Sequence, residues 1–214
     1  MENRLKGKTL VALGDSLIYG SRHGNEITWV NKLGRKHGMT VYNYGINGNT
    51  VAYPPIPENN QQPMCVRYAD MADGAEYVVV LGGANDHRLN VPIGENTDTE
   101  PTTFKGALRC LIEGLLVKYP RAKLQFFTNY HRKKTTNEIG LTEEPYVLAM
   151  EEICRLYSIP CYNNYYNVGI SFTNEAQLSW IDEGISMGEA PNRHFSDEAY
   201  DYLMERYEPI LMAL

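Results

Sequence analysis

The stretch TLVALGDSL, residues 9–17, passes from an apolar run directly into Gly14, Asp15 and Ser16. Four further apolar runs follow, separated by amphipathic stretches, at residues 40–44, 77–81, 123–128 and 159–163. Runs that are almost continuously apolar are typical of parallel strands covered on both faces. The alternation of strands and helices therefore predicts an α/β fold, an open three-layer α/β/α sandwich around a five-stranded parallel sheet.

The amphipathic stretches have the period of helices. Apolar residues recur every three or four positions across residues 104–119, which predicts a helix capped by Thr102 or Thr103. Similar patterns predict three more helices, at about residues 29–37, at 146–157 and from about 197 onward. Because such sheets bind ligands beyond the carboxyl ends of their strands, we expect the functional residues in the loops that follow the strands.

Length and composition limit the class of protein. The 214 residues fit one domain, residues 1–214, and no apolar run approaches the ~20 residues that span a bilayer. The formal net charge of −6 argues against a nucleic acid or an anionic membrane as partner, whereas the oligomeric state has no sequence signal. The polar residues 1–8 predict a cytoplasmic protein, although a secreted protein without its leader would look the same.

The cysteines indicate neither a disulfide framework nor a zinc site. None of the four forms a CxxC pair, and two fall within predicted helices. We expect reduced thiols at Cys65, Cys110, Cys154 and Cys161.

Three strand ends carry loops rich in glycine and small polar residues. They read GDSL at residues 14–17, NYGINGNT at 43–50 and GGANDH at 82–87. A serine between a strand and a helix can expose its hydroxyl beside backbone N–H groups that face an incoming anion. The α/β-hydrolase pattern G-x-S-x-G is not met, and neither G-x-G-x-x-G nor a Walker lysine is present, so a nucleotide or flavin binder is a weak alternative.

With these loops the sequence resembles the SGNH hydrolases, also called the GDSL esterase and lipase family. The resemblance covers nearly the whole chain and places the family's nucleophile on Ser16, its glycine on Gly45, its asparagine on Asn85 and its histidine on His194. It implies a flavodoxin-like fold and a serine esterase. It also implies an oxyanion hole made of the N–H groups of Ser16 and Gly45 and the side-chain amide of Asn85.

The last family block departs from its usual form D-x-x-H. Pro191 stands three residues before His194, where the aspartate that orients the histidine is expected. We assign the orienting acid to Asp182, while Glu183, Glu189 or a backbone carbonyl remain alternatives.

Histidine is the expected base, since an imidazole titrates near the working pH. From the residues alone the choice stays open, because three other histidines also follow strand ends: His23, His87 and His131. The resemblance favours His194. No ligand spacing for a metal is present, and the expected chemistry needs no cofactor.

We expect a small ester as substrate. Tyrosines in the loops, Tyr53, Tyr130, Tyr165 and Tyr166, suggest a polar aromatic rim that suits a hydroxylated molecule, and no long apolar lid segment is present. The residues predicted to contact the substrate are Asp15, Asp86, His87, Tyr53 and Tyr130. The favoured substrates are short-chain esters such as O-acetyl groups of carbohydrates. The alternatives are a lysophospholipase or thioesterase activity, and an inactive ligand-binding module.

Overall fold

A computed structural model of the chain describes residues 3–21, 24–131, 136–170, 174–181 and 194–214. Five strands form its sheet: β1 (Thr9–Gly14), β2 (Thr40–Gly45), β3 (Tyr77–Leu81), β4 (Lys123–Phe127) and β5 (Cys161–Tyr162). Their order is β2-β1-β3-β4-β5 and every neighbouring pair is parallel. The predicted five-stranded parallel sheet is confirmed, in the strand order of flavodoxin-like folds.

Eight α-helices lie within the described ranges. They are α1 (Ser16–Tyr19), α2 (Trp29–His37), α3 (Met64–Arg67), α4 (Ala84–Arg88), α5 (Phe104–Lys118), α6 (Glu144–Leu156), α7 (Asn164–Asn167) and α8 (Asp197–Ala213). The predicted starts of α5 and α8 are confirmed by their caps: the hydroxyls of Thr103 and Ser196 accept hydrogen bonds from the N–H groups three residues on. None of the helices in these ranges is long and apolar enough to cross a membrane.

Two apolar clusters cover the two faces of the sheet. One packs α3, α5 and α6 against one face, and the other packs α1, α2 and α8 against the opposite face. The central strand β3 is buried along its whole length, as its apolar sequence predicts. The three layers are therefore held together by two separate cores with the sheet between them.

The edge strands differ from the predicted pattern. Strand β2 lies at the edge of the sheet and is partly exposed, with Tyr42 at 42%, because it has a neighbour on one side only. Strand β5 has two residues instead of the predicted five, since Ser158 has a left-handed φ of 55° and Pro160 has no N–H for the ladder. Helices α3, α4 and α7 span only four or five residues, too few to show a helical period.

The carboxyl ends of the central strands are level with one another. Gly14 pairs with Gly45 on one side and with Leu81 on the other, and Leu81 pairs with Phe127. The loops after β1, β2 and β3 therefore leave the sheet side by side. This register brings the three polar loops of the sequence to one edge.

Candidate active site

Ser16 is the first residue of α1, directly after β1. Asp15 precedes it as the N-cap: its side chain is 1% exposed and its Oδ1 accepts a hydrogen bond of 2.9 Å from the Leu17 N–H. Ser16 is half-buried, and neither its hydroxyl nor its N–H makes a hydrogen bond to any residue in the described ranges. The expected substrate contact at Asp15 is corrected, since this buried carboxylate caps the helix instead.

Helix α1 lies directly on the ends of β1 and β2. A Cβ at Gly45 would stand 2.1 Å from the Tyr19 nitrogen, and one at Gly14 would stand 2.4 Å from Ile18 Cγ1. Only glycine permits this approach. The two glycines thereby set the position of the helix that begins at Ser16.

The Gly45 N–H does not face a substrate. It donates a hydrogen bond of 2.9 Å to Asn43 Oδ1, and the same side chain donates through Nδ2 to the Ile18 carbonyl at 2.6 Å. The expected role of Gly45 as an oxyanion donor is therefore corrected. This residue is held against α1, and its only N–H is already in use.

Gly48, three residues along the same loop, has the properties expected of a donor. Its N–H makes no hydrogen bond within the part of the chain that the structure describes, and its φ of 75° is in the left-handed region. A Cβ there would meet nothing closer than Arg88 Nη2 at 3.9 Å. The loop thus presents an unused N–H beside open space.

Asn85 lies in α4, after β3, with its amide fixed by two hydrogen bonds. Its Nδ2 donates to the Asn49 carbonyl at 3.1 Å, and its Oδ1 accepts from Arg88 Nε at 3.2 Å. A carboxamide nitrogen carries two protons. The second proton of Asn85 Nδ2 is therefore left for another acceptor.

Asp86 is completely buried behind this loop. Its carboxylate accepts hydrogen bonds of 2.9–3.1 Å from the N–H groups of Val51 and Ala52. Burial raises the pKa of Asp86 to about 7, against the opposing effect of these N–H groups. The expectation that Asp86 contacts the substrate is corrected, because both its oxygens already hold the loop after β2.

Two more of the expected substrate contacts are core residues. His87 is 3% exposed, and its Nε2 donates to the Leu141 carbonyl at 3.0 Å. Tyr130 is fully buried, with its hydroxyl 2.8 Å from that of Tyr207. Both expectations are corrected. Tyr53 is 40% exposed, and its contact with the substrate stays a prediction.

His194 is half-buried and lies two residues before the N-cap of α8. The next residue, Phe195, forms an isolated antiparallel bridge with Ile181, and its ring packs edge-on against Tyr130 and Tyr200 at centroid distances of 4.8 and 5.8 Å. The Tyr200 hydroxyl in turn donates to the Leu17 carbonyl. His194 is thereby held at the end of a helix that is bonded to α1. Asp182, Glu183, Glu189, Pro191 and His23 lie outside the described residues.

Two polar residues of this region belong to no motif in the sequence and could not be predicted as parts of the site. Arg67, at the end of α3, donates to the carbonyls of Gly14 and Tyr44 at the ends of β1 and β2, and burial lowers the pKa of its guanidinium to about 10. Asn129, two residues after β4, is 2% exposed, and its amide makes no hydrogen bond among the described residues. Across the same ranges, no three His, Cys, Asp or Glu side chains are grouped so that they could hold a metal ion.

Comparisons with known proteins agree with this fold. The sequence model of the GDSL-like lipase/acylhydrolase family matches residues 12–202. One solved structure is 32% identical over 98% of both chains, with a TM-score of 0.84. A protein from Lactobacillus plantarum is 23% identical over 98% of this chain and 99% of its own, with the same TM-score of 0.84.

A more distant likeness is to a carbohydrate acetylesterase family member from Sinorhizobium meliloti. It is 18% identical over 97% of this chain and 100% of its own, with a TM-score of 0.63. No curated protein matches the sequence.

Proposed function

The chain belongs to the GDSL-like lipase/acylhydrolase family, and we propose that it is a serine esterase whose nucleophile is Ser16. The observation that carries this proposal is the state of Ser16 at the carboxyl edge of the sheet. Its neighbours Asp15 and Asn43 have their side chains engaged by backbone groups, whereas the hydroxyl and N–H of Ser16 have no partner among the described residues. A half-buried serine in that state is suited to meet a substrate.

In the proposed reaction, Ser16 Oγ attacks the ester carbonyl carbon while His194 accepts the hydroxyl proton. The tetrahedral intermediate collapses, and the alcohol leaves with the proton that His194 returns to it. Water then attacks the acyl-enzyme with His194 again as base, which releases the carboxylate and restores Ser16.

Three donors are proposed to stabilise the oxyanion. They are the N–H groups of Ser16 and Gly48 and the second proton of Asn85 Nδ2. Gly48 takes the place first expected for Gly45, because its N–H is unused in the described structure and that of Gly45 is not. Preorganised donors of this kind lower the barrier because they need no rearrangement as charge develops.

His194 needs a partner that fixes its tautomer and orientation. Asp182 stays our proposal for this group, with Glu183, Glu189 and a backbone carbonyl as alternatives.

The proposed substrates are short-chain esters, such as acetyl groups on carbohydrates. The likeness to a carbohydrate acetylesterase family member supports this class, as does Tyr53, an exposed aromatic side chain in the loop after β2. A tyrosine ring can stack on a sugar while its hydroxyl forms a hydrogen bond. Longer acyl esters or thioesters would use the same chemistry.

The test is hydrolysis of p-nitrophenyl acetate and p-nitrophenyl octanoate by the wild type, by Ser16→Ala and by Ser21→Ala as the matched control. We expect Ser16→Ala to lose about three orders of magnitude or more in kcat/KM, and Ser21→Ala to keep the wild-type rate. A higher rate on acetate than on octanoate supports the short-chain class, and the reverse ratio supports the longer-chain alternative.

Covalent labelling separates an enzyme from an inactive module. A fluorophosphonate should label the wild type at Ser16, because the reaction needs an activated hydroxyl. A wild type that neither hydrolyses these esters nor takes the label would contradict the proposed activity.

A further inference from the structure

Arg67 holds Asn49, in the loop after β2, through two hydrogen bonds to one atom. Its Nε and Nη2 donate to Asn49 Oδ1 at 3.1 and 2.9 Å. Asn49 is only 2% exposed. Two hydrogen bonds from a charged guanidinium to one buried amide oxygen fix the position of that side chain more firmly than a single neutral hydrogen bond does.

The same guanidinium also reaches the two strands beside Ser16. Its Nη2 donates to the Tyr44 carbonyl at 3.1 Å and lies 3.4 Å from the Gly14 carbonyl. Tyr44 and Gly14 belong to the ends of β2 and β1, and Gly14 is two residues before Ser16. One side chain therefore connects both strand ends to the loop that carries Gly48 and Asn49.

Asn49 transmits this connection to the proposed oxyanion donors. Its carbonyl is the acceptor that holds Asn85 Nδ2 at 3.1 Å, and Gly48 is the residue immediately before it. Its own Nδ2 donates to the Gln62 carbonyl at 2.9 Å. A displacement of Asn49 would therefore move two of the three donors.

We propose that Arg67 is a positioning residue that holds the Gly48 and Asn85 donors in the geometry of the oxyanion hole. The inference rests on the proposed esterase function and adds a residue outside the reacting groups. Arginine suits this position because its rigid planar fork reaches several carbonyls at once, whereas the single ammonium of lysine does not. The reaction rate falls when the contacts that support the catalytic groups allow those groups to shift by about 1 Å.

The test compares Arg67→Lys with Arg109→Lys. Arg109, on α5, is also partly buried, donates to the Asn96 carbonyl at 2.5 Å and packs over the Tyr157 ring, outside the loops around Ser16. Each variant replaces an arginine whose guanidinium donates a hydrogen bond to a backbone carbonyl. The readouts are kcat and KM on p-nitrophenyl acetate, the rate of fluorophosphonate labelling, and amide hydrogen exchange of residues 46–52.

We expect kcat of Arg67→Lys to fall by about 10- to 100-fold, a part of the loss caused by removing one whole donor, with KM within about twofold of wild type. Labelling should slow in parallel, and the amides of residues 46–52 should exchange faster. Arg109→Lys should show none of these changes.

Asn49→Ala provides a second route should Arg67→Lys fail to fold. It removes the Oδ1 atom to which Arg67 donates but keeps the Asn49 backbone carbonyl to which Asn85 donates. We therefore expect it to reproduce the fall in kcat of Arg67→Lys. The kcat of the double variant should be no lower than that of the more impaired single variant, because both changes remove the same hydrogen bonds between Arg67 and Asn49.

If the wild type is active and Arg67→Lys changes neither kcat nor the amide exchange of residues 46–52, the esterase proposal stands but the inference is overturned. Multiplied effects in the double variant would also overturn it. A wild type without turnover or labelling would instead overturn the proposed function, and the role of Arg67 in catalysis with it.

Discussion

The Tyr200 hydroxyl donates a hydrogen bond of 2.9 Å to the Leu17 carbonyl, which joins the last helix of the chain to the four-residue helix that begins at Ser16. Helix α1 is too short to satisfy its own carbonyls, so the partner comes from elsewhere. The bond is buried and connects the two segments that carry Ser16 and His194. The relative position of the proposed nucleophile and base therefore depends on the packing of α8.

Removing this hydroxyl should affect both stability and turnover. We expect Tyr200→Phe to lose about 1 kcal/mol of unfolding free energy and to reduce kcat. The control is Tyr202→Phe on the same helix, whose hydroxyl donates to the Val168 carbonyl at 2.9 Å. Thermal unfolding and kcat distinguish the two: an equal effect of both variants on kcat would contradict a role specific to Tyr200.

The proposed base can be tested by rescue. His194→Ala should lose about three orders of magnitude in kcat, and added imidazole should restore part of the rate, because a free imidazole can take the vacated position. His37→Ala is the control, since this histidine bonds to Glu208 and Asn3. Turnover of His194→Ala at the wild-type rate would assign the proton transfer to another group.

Gly45 and Gly48 should respond differently to alanine. We expect Gly45→Ala to lose at least about 3 kcal/mol of unfolding free energy, because its Cβ would overlap the Tyr19 nitrogen. Gly48→Ala should cost about 1–2 kcal/mol, the strain of a left-handed φ without a collision. Denaturant unfolding measures both, and a Gly45→Ala protein as stable as wild type would contradict the close packing of α1 on β2.

Asn85 should act on the transition state more than on binding. We expect Asn85→Ala to reduce kcat by about 10²–10³-fold with little change in KM, since the donor faces charge that develops during the reaction. Asn31→Ala is the matched control: it removes an amide that donates to the Asn25 carbonyl at 2.7 Å, on α2. A change confined to KM would assign Asn85 to substrate binding.

Asp86 should make stability depend on pH. Its pKa is about 7 in the folded protein against an ordinary value of 3.8, so the folded state binds the proton more tightly than the unfolded state does. Its contribution to stability is therefore greatest below about pH 4, falls as the pH rises towards 7 and is level above that.

The measurement is the thermal unfolding of wild type, Asp86→Asn and Asp70→Asn between pH 4 and 8. The Tm of wild type relative to Asp86→Asn should fall across this range, because asparagine does not titrate. Asp70, an exposed aspartate, serves as the control, and its variant should follow the wild type. A constant difference between wild type and Asp86→Asn would contradict the raised pKa.

The order of strands and helices could be predicted from the sequence because long buried elements carry their period in their apolar residues. Strand β3 and helices α5 and α8 begin where the sequence indicates, since apolar runs and hydroxyl caps are local signals. Strand β5 is shorter than predicted, because Ser158 has a left-handed backbone conformation and Pro160 has no N–H for the ladder, so the apolar run at residues 159–163 pairs only at Cys161 and Tyr162.

The sequence by itself determined the α/β class, the parallel sheet and the three polar loops that the strands bring to one edge. Only the tertiary structure decided which polar groups in those loops are already bonded. Asp86, His87 and the Gly45 N–H look suited to a substrate in the sequence. Asp86 and His87 are instead bonded to backbone groups far from them in sequence, and the Gly45 N–H is bonded to the side chain of Asn43 within its own loop. The role of Arg67 could not be predicted either, because the sequence does not indicate to which distant carbonyls an arginine will donate hydrogen bonds. Hydrogen bonds between segments far apart in sequence are fixed only when the layers pack.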